Sequence, residues 1–332
     1  FCTKWGMRPL FAVCRTQYAS ICLWRGTWQE AEQELCAAGE ELTASRPAMK
    51  GDALVRLAEL RRRQGRLAEA AALVEQVTPH GAGLLARARL ALDCGDARGA
   101  LELVEQYLRH LPAANRTDRA PGLEIAIQAR IAHRDWPGAA EALDELTEIG
   151  AAIRTLPLRA DVSFASGCVA MAKGNTDTAR LFFEDASDLY ARSGAPFETG
   201  RAQIELARTL AALGRVDAAL AMARRAKSLF SGLSATLEVA RAEELLSSLL
   251  PSGPEGSVAA EPAKDNRMQR NLTRREIEIL RLVAEGLSNH SIAERLFVSE
   301  HTVHRHLANM LKKLDVSTRA AAVAQAARHG LL

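Results

Sequence analysis

The chain has 332 residues, 48% of them hydrophobic but only 5% aromatic, and a formal net charge of +3. That length can hold two domains with large cores, and the composition is that of an alanine- and leucine-rich helical protein. No apolar run approaches the ~18 residues of a membrane span, and the run at 10–14 is too short for a signal-peptide core and is broken by Arg15. Six cysteines, at 2, 14, 22, 36, 94 and 168, form no CxxC pair, which argues for scattered reduced thiols rather than a disulfide framework or a zinc site. These features predict a cytoplasmic protein with no membrane partner. The chain starts at Phe1 rather than Met, which points to a fragment or a missing upstream part.

Residues 1–250 read as a run of helical hairpins. Six turns share a pattern, centred on Gly26, Gly65, Gly95, Arg134, Gly174 and Gly214. Five residues after each comes Ala31, Ala70, Ala100, Ala139, Ala179 or Ala219, and nine after comes Leu35, Val74, Val104, Leu143, Phe183 or Ala223. Glycine ends a first helix with positive φ, the small alanine lets a second helix cross closely, and the apolar residue one turn later seals the pair. A hairpin cannot bury its faces alone, so neighbours stack into a solenoid. The run resembles a tetratricopeptide-like array, with repeats somewhat longer than the ~34 residues of the standard unit. Trp28 and Trp136 hold equivalent positions just past their turns and are expected to pack between hairpins. Residues 235–250 read as a terminal capping helix. A concave array face suits an effector or a protein partner, of unknown identity.

Residues 251–271 carry Pro251, Gly253, Pro254, Gly256 and Pro262 without periodicity, which predicts a flexible linker. The positive charge lies beyond it. Residues 266–332 carry a net +5 and the remainder −2, as phosphate binding requires.

The last stretch, 272–332, shows helix starts and tight turns directly. Thr273 and Glu276 have the spacing of a capping box, with Leu272 and Ile277 as its staple, and Ile277, Leu280, Val283 and Ala284 form an apolar face that Gly286 ends. Ser288 caps a short helix burying Ile292, Ala293 and Leu296. Ser299 caps a longer one burying Val303, Leu307, Met310, Leu311 and Leu314. The opposite face of that longer helix carries His301, His304, Arg305, Ala308 and Lys312, spaced to point the same way. Ala320, Val323, Ala324 and Ala327 give a last helix, at 318–331, a small-residue apolar face. A short helix, a tight turn and a longer helix with a polar outer face make a helix-turn-helix, here at 288–307.

These residues resemble the LuxR-type (GerE-like) DNA-binding domain. The likeness extends to the leading Leu-Thr-x-Arg-Glu at 272–276 and the trailing Lys-Leu-Asp-Val-Ser-Thr-Arg at 313–319, and it covers the last fifth of the chain. It implies a helix at 299–314 in the major groove of double-stranded DNA, read out through Ser288, Asn289, Ser299, His301, Thr302, His304, Arg305, Ala308, Asn309 and Lys312. Arg305 is the leading candidate for base readout, since a guanidinium pairs bidentately with guanine. Arg274, Arg275 and Lys313 are candidate phosphate contacts, and His306 is a flanking core residue. The resemblance also implies a homodimer through the last helix and makes RNA polymerase a candidate partner. Family members commonly carry lysine where this chain has His301 and His304.

Catalytic signatures are missing. There is no GxxxxGK[ST] loop, no GxGxxG after a strand, no GxSxG and no HExxH. His133-Arg134-Asp135 imitates a kinase catalytic loop, but position 140 is Ala rather than Asn. No enzyme, no cofactor and no metal site are expected. The whole layout resembles the last two parts of large regulators that place an ATPase first, a tetratricopeptide-like array next and a LuxR-type head last, as in the maltose-regulon activator. The expectation is an all-α, sequence-specific transcriptional regulator. The alternatives are a protein-interaction scaffold and a fragment of a larger ATPase-bearing regulator.

Overall fold

The computed structural model describes residues 8–250, 272, 274–296, 300–314, 316 and 318–328. The predicted linker at 251–271 lies outside the described residues, as do Thr273 and Ser299, two of the three predicted caps of the last stretch. The chain divides into two compact units, Phe1–Pro251 and Ser252–Leu332.

The first unit holds thirteen helices among its described residues. They are α1 (Arg8–Arg25), α2 (Trp28–Ser45), α3 (Lys50–Arg63), α4 (Leu67–Glu75), α5 (Ala82–Asp93), α6 (Ala97–Arg109) and α7 (Arg116–Ala132), then α8 (Trp136–Ile153), α9 (Leu156–Ala172), α10 (Thr176–Arg192), α11 (Pro196–Ala212), α12 (Val216–Leu233) and α13 (Thr236–Leu249). A 3-10 turn, Pro47–Met49, precedes α3. Consecutive helices pack as hairpins, and each hairpin packs on the next.

Every expected turn residue has positive φ, the glycines running from 73° at Gly214 to 82° at Gly26. Arg134 follows the same path at 58°, although a side chain at that φ meets the following carbonyl. Asp135 then caps α8 by accepting a hydrogen bond from Gly138 N at 3.0 Å, as Asp96 caps α6 through Gly99 N at 2.8 Å. The six alanines that follow the turns are all buried, none more than 1% exposed, and Leu35, Val74, Val104, Phe183 and Ala223 are buried beside them. Stacking supplies the stability.

Two findings go beyond the repeat pattern. First, the array closes on itself. Residues of α1, α2 and α3 share one core with Phe197, Ile204, Ala226, Phe230, Ala235 and Ala242. Trp28 stacks on Phe197 at 5.7 Å between centroids, Trp24 Nε1 donates to Ser193 O at 3.0 Å, and Thr236 Oγ1 donates to Gln64 O at 2.7 Å. So α13 does more than cap an end, because it seats against the α3–α4 turn. Second, Trp136 is 37% exposed whereas Trp28 is 4% exposed. The two positions are equivalent in the repeat, but closure puts Phe197 over Trp28, and the expectation that both pack between hairpins fails for Trp136. The odd-numbered helices line the bore of the closed array, which holds a cavity of about 540 Å³ with walls from Arg62, Arg89, Phe164, Met171 and Arg201.

The second unit contains α14 (Arg274–Ala284), α15 (Asn289–Arg295), α16 (Glu300–Lys313) and α17 (Arg319–Arg328). Its core is Leu272, Ile279, Leu280, Leu282, Val283, Ile292, Ala293, Val303, Leu307, Met310, Leu314, Ala322 and Ala326. The expected face of α14 was too narrow: Ile279 and Leu282 are buried and Ala284 is exposed. The reason is that α14 packs against α15, α16 and α17, so more than one stripe is covered. On α17 the buried pair is Ala322 and Ala326, four apart, with Val323 partly buried beside them. The other expected positions, Ala320, Ala324 and Ala327, have side chains outside the described residues.

Candidate nucleic-acid interface

The head builds its reading surface from the turn upward. Gly286, at φ 84°, ends α14, and backbone bonds from Gly286 N to Val283 O and from Leu287 N to Leu282 O satisfy its last carbonyls. Ser288 then caps α15, its Oγ accepting from Ser291 N at 3.1 Å and meeting Ser291 Oγ at 2.8 Å. The guanidinium of Arg319, at the start of α17, donates to Leu287 O and to Asn289 Oδ1, the latter at 3.3 Å. One side chain thus ties the fourth helix to the start of the helix-turn-helix. Sequence spacing held no signal for this tie, because Arg319 lies 30 residues from Asn289.

The helix α16 has three distinct faces. Val303, Leu307, Met310 and Leu314 are buried in the core. His304, Ala308 and Asn309 are exposed, as the outward stripe requires. On this helix the side chains of His301, Arg305 and Lys312 lie outside the described residues, as do those of Arg274 and Arg275 on α14. A flanking stripe carries Thr302, His306 and Lys313. Thr302 is 1% exposed and His306 8%, so His306 has the buried position expected of it. Thr302 is a correction: its hydroxyl is turned into the head and does not reach the outer face. Lys313 extends from the same stripe to α14, where its Nζ donates to both carboxylate oxygens of Glu276 at 2.9 and 2.8 Å. Glu276 is 2% exposed, so Lys313 neutralises a buried carboxylate, a second charge role that spacing alone does not show.

Of the predicted site residues, the structure therefore brings Ser288 and Asn289 together at the start of α15 and presents His304, Ala308 and Asn309 along α16. The glutamate at 300 approaches His290, with Oε2 3.9 Å from Nδ1, and both are exposed. Among the described residues there is no cluster of three or more His, Cys, Asp or Glu able to hold a metal.

Residues 270–326 match the family described as "Bacterial regulatory proteins, luxR family". The second unit carries a LuxR-family helix-turn-helix domain. The LuxR-type domain is 50% identical over 62 residues to the transcriptional regulatory protein LiaR of Bacillus subtilis (strain 168), a match covering 19% of this chain and 29% of that protein. The nitrate/nitrite response regulator protein NarL of Escherichia coli (strain K12) is 40% identical over 87 residues, 26% of this chain and 40% of that one. The chain thus spans well under half the length of these relatives, and the shared part is the LuxR-type domain. Among solved structures, a signal-transduction ATPase with a tetratricopeptide repeat sensor from Pyrococcus horikoshii aligns over 98% of this chain and 46% of that one, at 11% identity and a TM-score of 0.44. No helix among the described residues is long and apolar enough to cross a membrane.

Proposed function

We propose that the protein is a sequence-specific transcriptional regulator that grips double-stranded DNA with α16 in the major groove, while the closed helical array senses a ligand or a partner. One observation carries this. The face of α16 that holds His304, Ala308 and Asn309 is solvent-exposed, and the face opposite is locked into the core by Val303, Leu307 and Met310. A helix held this way across a short capped partner helix presents its side chains to base edges without further folding. Ser288 and Asn289 lie at the amino end of α15, and Ser299 directly precedes α16 in the sequence; backbone N–H groups at helix starts suit phosphate. In this reading Arg305 pairs with a base, Lys312 meets the backbone, and the head dimerises through α17 on half-sites about one helical turn apart.

The test is a genome-wide binding map of the full chain, followed by anisotropy titrations on the sites found. Arg305→Ala should relax preference at one base position by ~1–3 kcal/mol. Deleting 266–332 should abolish both binding and promoter control. Promoter control that survives the deletion would make the array the working part and the regulator reading wrong.

A further inference from the structure

Five of the bore-lining helices converge on a partly buried charge cluster, in which Arg63, Glu124 and Glu198 are buried and Arg89, Asp161 and Arg201 half-buried. Arg63 comes from α3, Arg89 from α5, Glu124 from α7, Asp161 from α9, and Glu198 with Arg201 from α11. Two of the three carboxylates have guanidinium partners. Glu198 lies 3.0 Å from Arg63 and 2.6 Å from Arg201, and Glu124 lies 3.6 Å from Arg201 and 3.5 Å from Arg89. Asp161 has no ion pair among the described residues, and its Oδ1 accepts one hydrogen bond, from the Tyr190 hydroxyl at 2.7 Å. Burial, together with the nearby Glu124 and Glu198, pushes the Asp161 carboxyl up to about 7, against the opposing pull of Tyr190 and Arg89. On the cationic side, Arg63 is 9% exposed. Its Nε donates to Glu59 at 2.7 Å and its Nη2 pairs with Glu198, while its buried Nη1 has no hydrogen-bond partner among the described residues.

Asp161 and Arg63 line the same cavity, of about 320 Å³, with Trp24, Ile153 and Leu158 as its apolar wall. The cavity therefore offers a carboxyl lacking a cation, a guanidinium with an unused donor, and an aliphatic-aromatic surface. We infer that it binds a small zwitterion with an aliphatic body, an α-amino acid of the leucine class. Its ammonium sits against Asp161 and Glu124, its carboxylate on Arg63 and Arg89, and its side chain along Trp24 and Leu158. A phosphate-like dianion would face three carboxylates. A simple amine would leave the Arg63 donor unmatched. The volume lies at the low end for small-molecule sites, as a single amino acid needs. This inference rests on the reading of the array as a sensor and names what it senses.

The test is isothermal titration calorimetry on the full chain without DNA, at pH 6.5 and in two buffers of different ionisation enthalpy. The probes are L-leucine, isoamylamine (leucine without its carboxylate) and 4-methylpentanoate (leucine without its ammonium). L-leucine should bind and release a fraction of a proton as Asp161 ionises against the ammonium, and each truncated probe should bind at least ~10-fold more weakly. Asp161→Asn keeps an acceptor for Tyr190 and should weaken leucine ~10-fold or more while abolishing proton release. Thr117→Trp, at an exposed residue lining the cavity, should block binding by occupying the mouth and serves if the first variant does not fold. No heat with 10 mM leucine, at which a site with a Kd of ~1 mM would be mostly filled, overturns the inference. So do equal affinities for all three probes, or unchanged binding and proton release in Asp161→Asn. None of these outcomes touches the regulator reading, whose failure would instead appear as a chain that binds leucine and no DNA.

Discussion

The same substitution should have opposite effects at two helical glycines of the array. Gly39, within α2, has open space where a Cβ would go, with nothing within 4 Å. Alanine there gains helix propensity of ~1 kcal/mol and should raise stability by nearly that amount. Gly167, within α9, would place its Cβ 2.6, 2.7 and 2.9 Å from three ring atoms of Phe183. Phe183 is fully buried and stacks edge-on to Phe164 at 5.7 Å, so the ring has nowhere to retreat. Overpacking of this kind costs ~1–3 kcal/mol, which offsets or exceeds the propensity gain. At ~2–4 °C per kcal/mol for a domain of this size, Gly167→Ala should melt several degrees below Gly39→Ala by circular dichroism. Adding Phe183→Leu to Gly167→Ala should recover part of the loss. If Gly167→Ala raises the melting temperature as much as Gly39→Ala does, the close α9–α10 approach is not what this glycine serves.

Arg134→Gly should stabilise the array by ~0.5–1 kcal/mol in urea melts, because it relieves a left-handed side chain at the cost of some unfolded-state entropy; a loss of stability would mean that the arginine side chain has a role the turn does not require. Lys313→Met should lower the stability of the head by ~1–3 kcal/mol because it removes the cation paired with the buried Glu276, whereas Lys312→Met should leave melting unchanged and reduce the salt slope of DNA binding by ~1. Reversed phenotypes would refute the assignment of these adjacent lysines. Asp161 links stability to pH. Its folded carboxyl, raised to about 7, holds a proton that the unfolded carboxyl gives up near pH 4, so stability declines as pH rises from ~4 to ~7 and no further above that. The effect is at most ~4 kcal/mol, and Asp161→Asn should flatten the pH profile across that window in thermal melts.

What the sequence revealed follows from the range of each interaction. Turns, caps and helix faces are local, so the six turn residues, the alanines behind them and the α16 stripe could be placed from spacing alone. Even Arg134, the one break in the glycine pattern, kept its register because its neighbours Asp135 and Ala139 supply the cap and the crossing point. The expectations that fail are those where a second element decides. Thr302 is polar and near the outward stripe, but it lies on the flank shared with His306 and Lys313, and that side of α16 turns in toward α14. Ile279 and Leu282 fall outside a single amphipathic stripe because three helices pack on α14.

Closure of the array was illegible for the same reason on a larger scale. Whether Trp28 meets Phe197 depends on the rotation summed over the intervening hairpins, to which every repeat contributes a little and no motif states the total. The consequence is functional. An open solenoid would offer Arg63, Arg89, Glu124 and Asp161 to water, where paired charges are worth little. Closure places them in a bore with low-dielectric walls, where an unmatched carboxyl or guanidinium donor becomes costly and therefore selective for a ligand that matches it. The repeat pattern specifies the wall, and the closure turns that wall into a site.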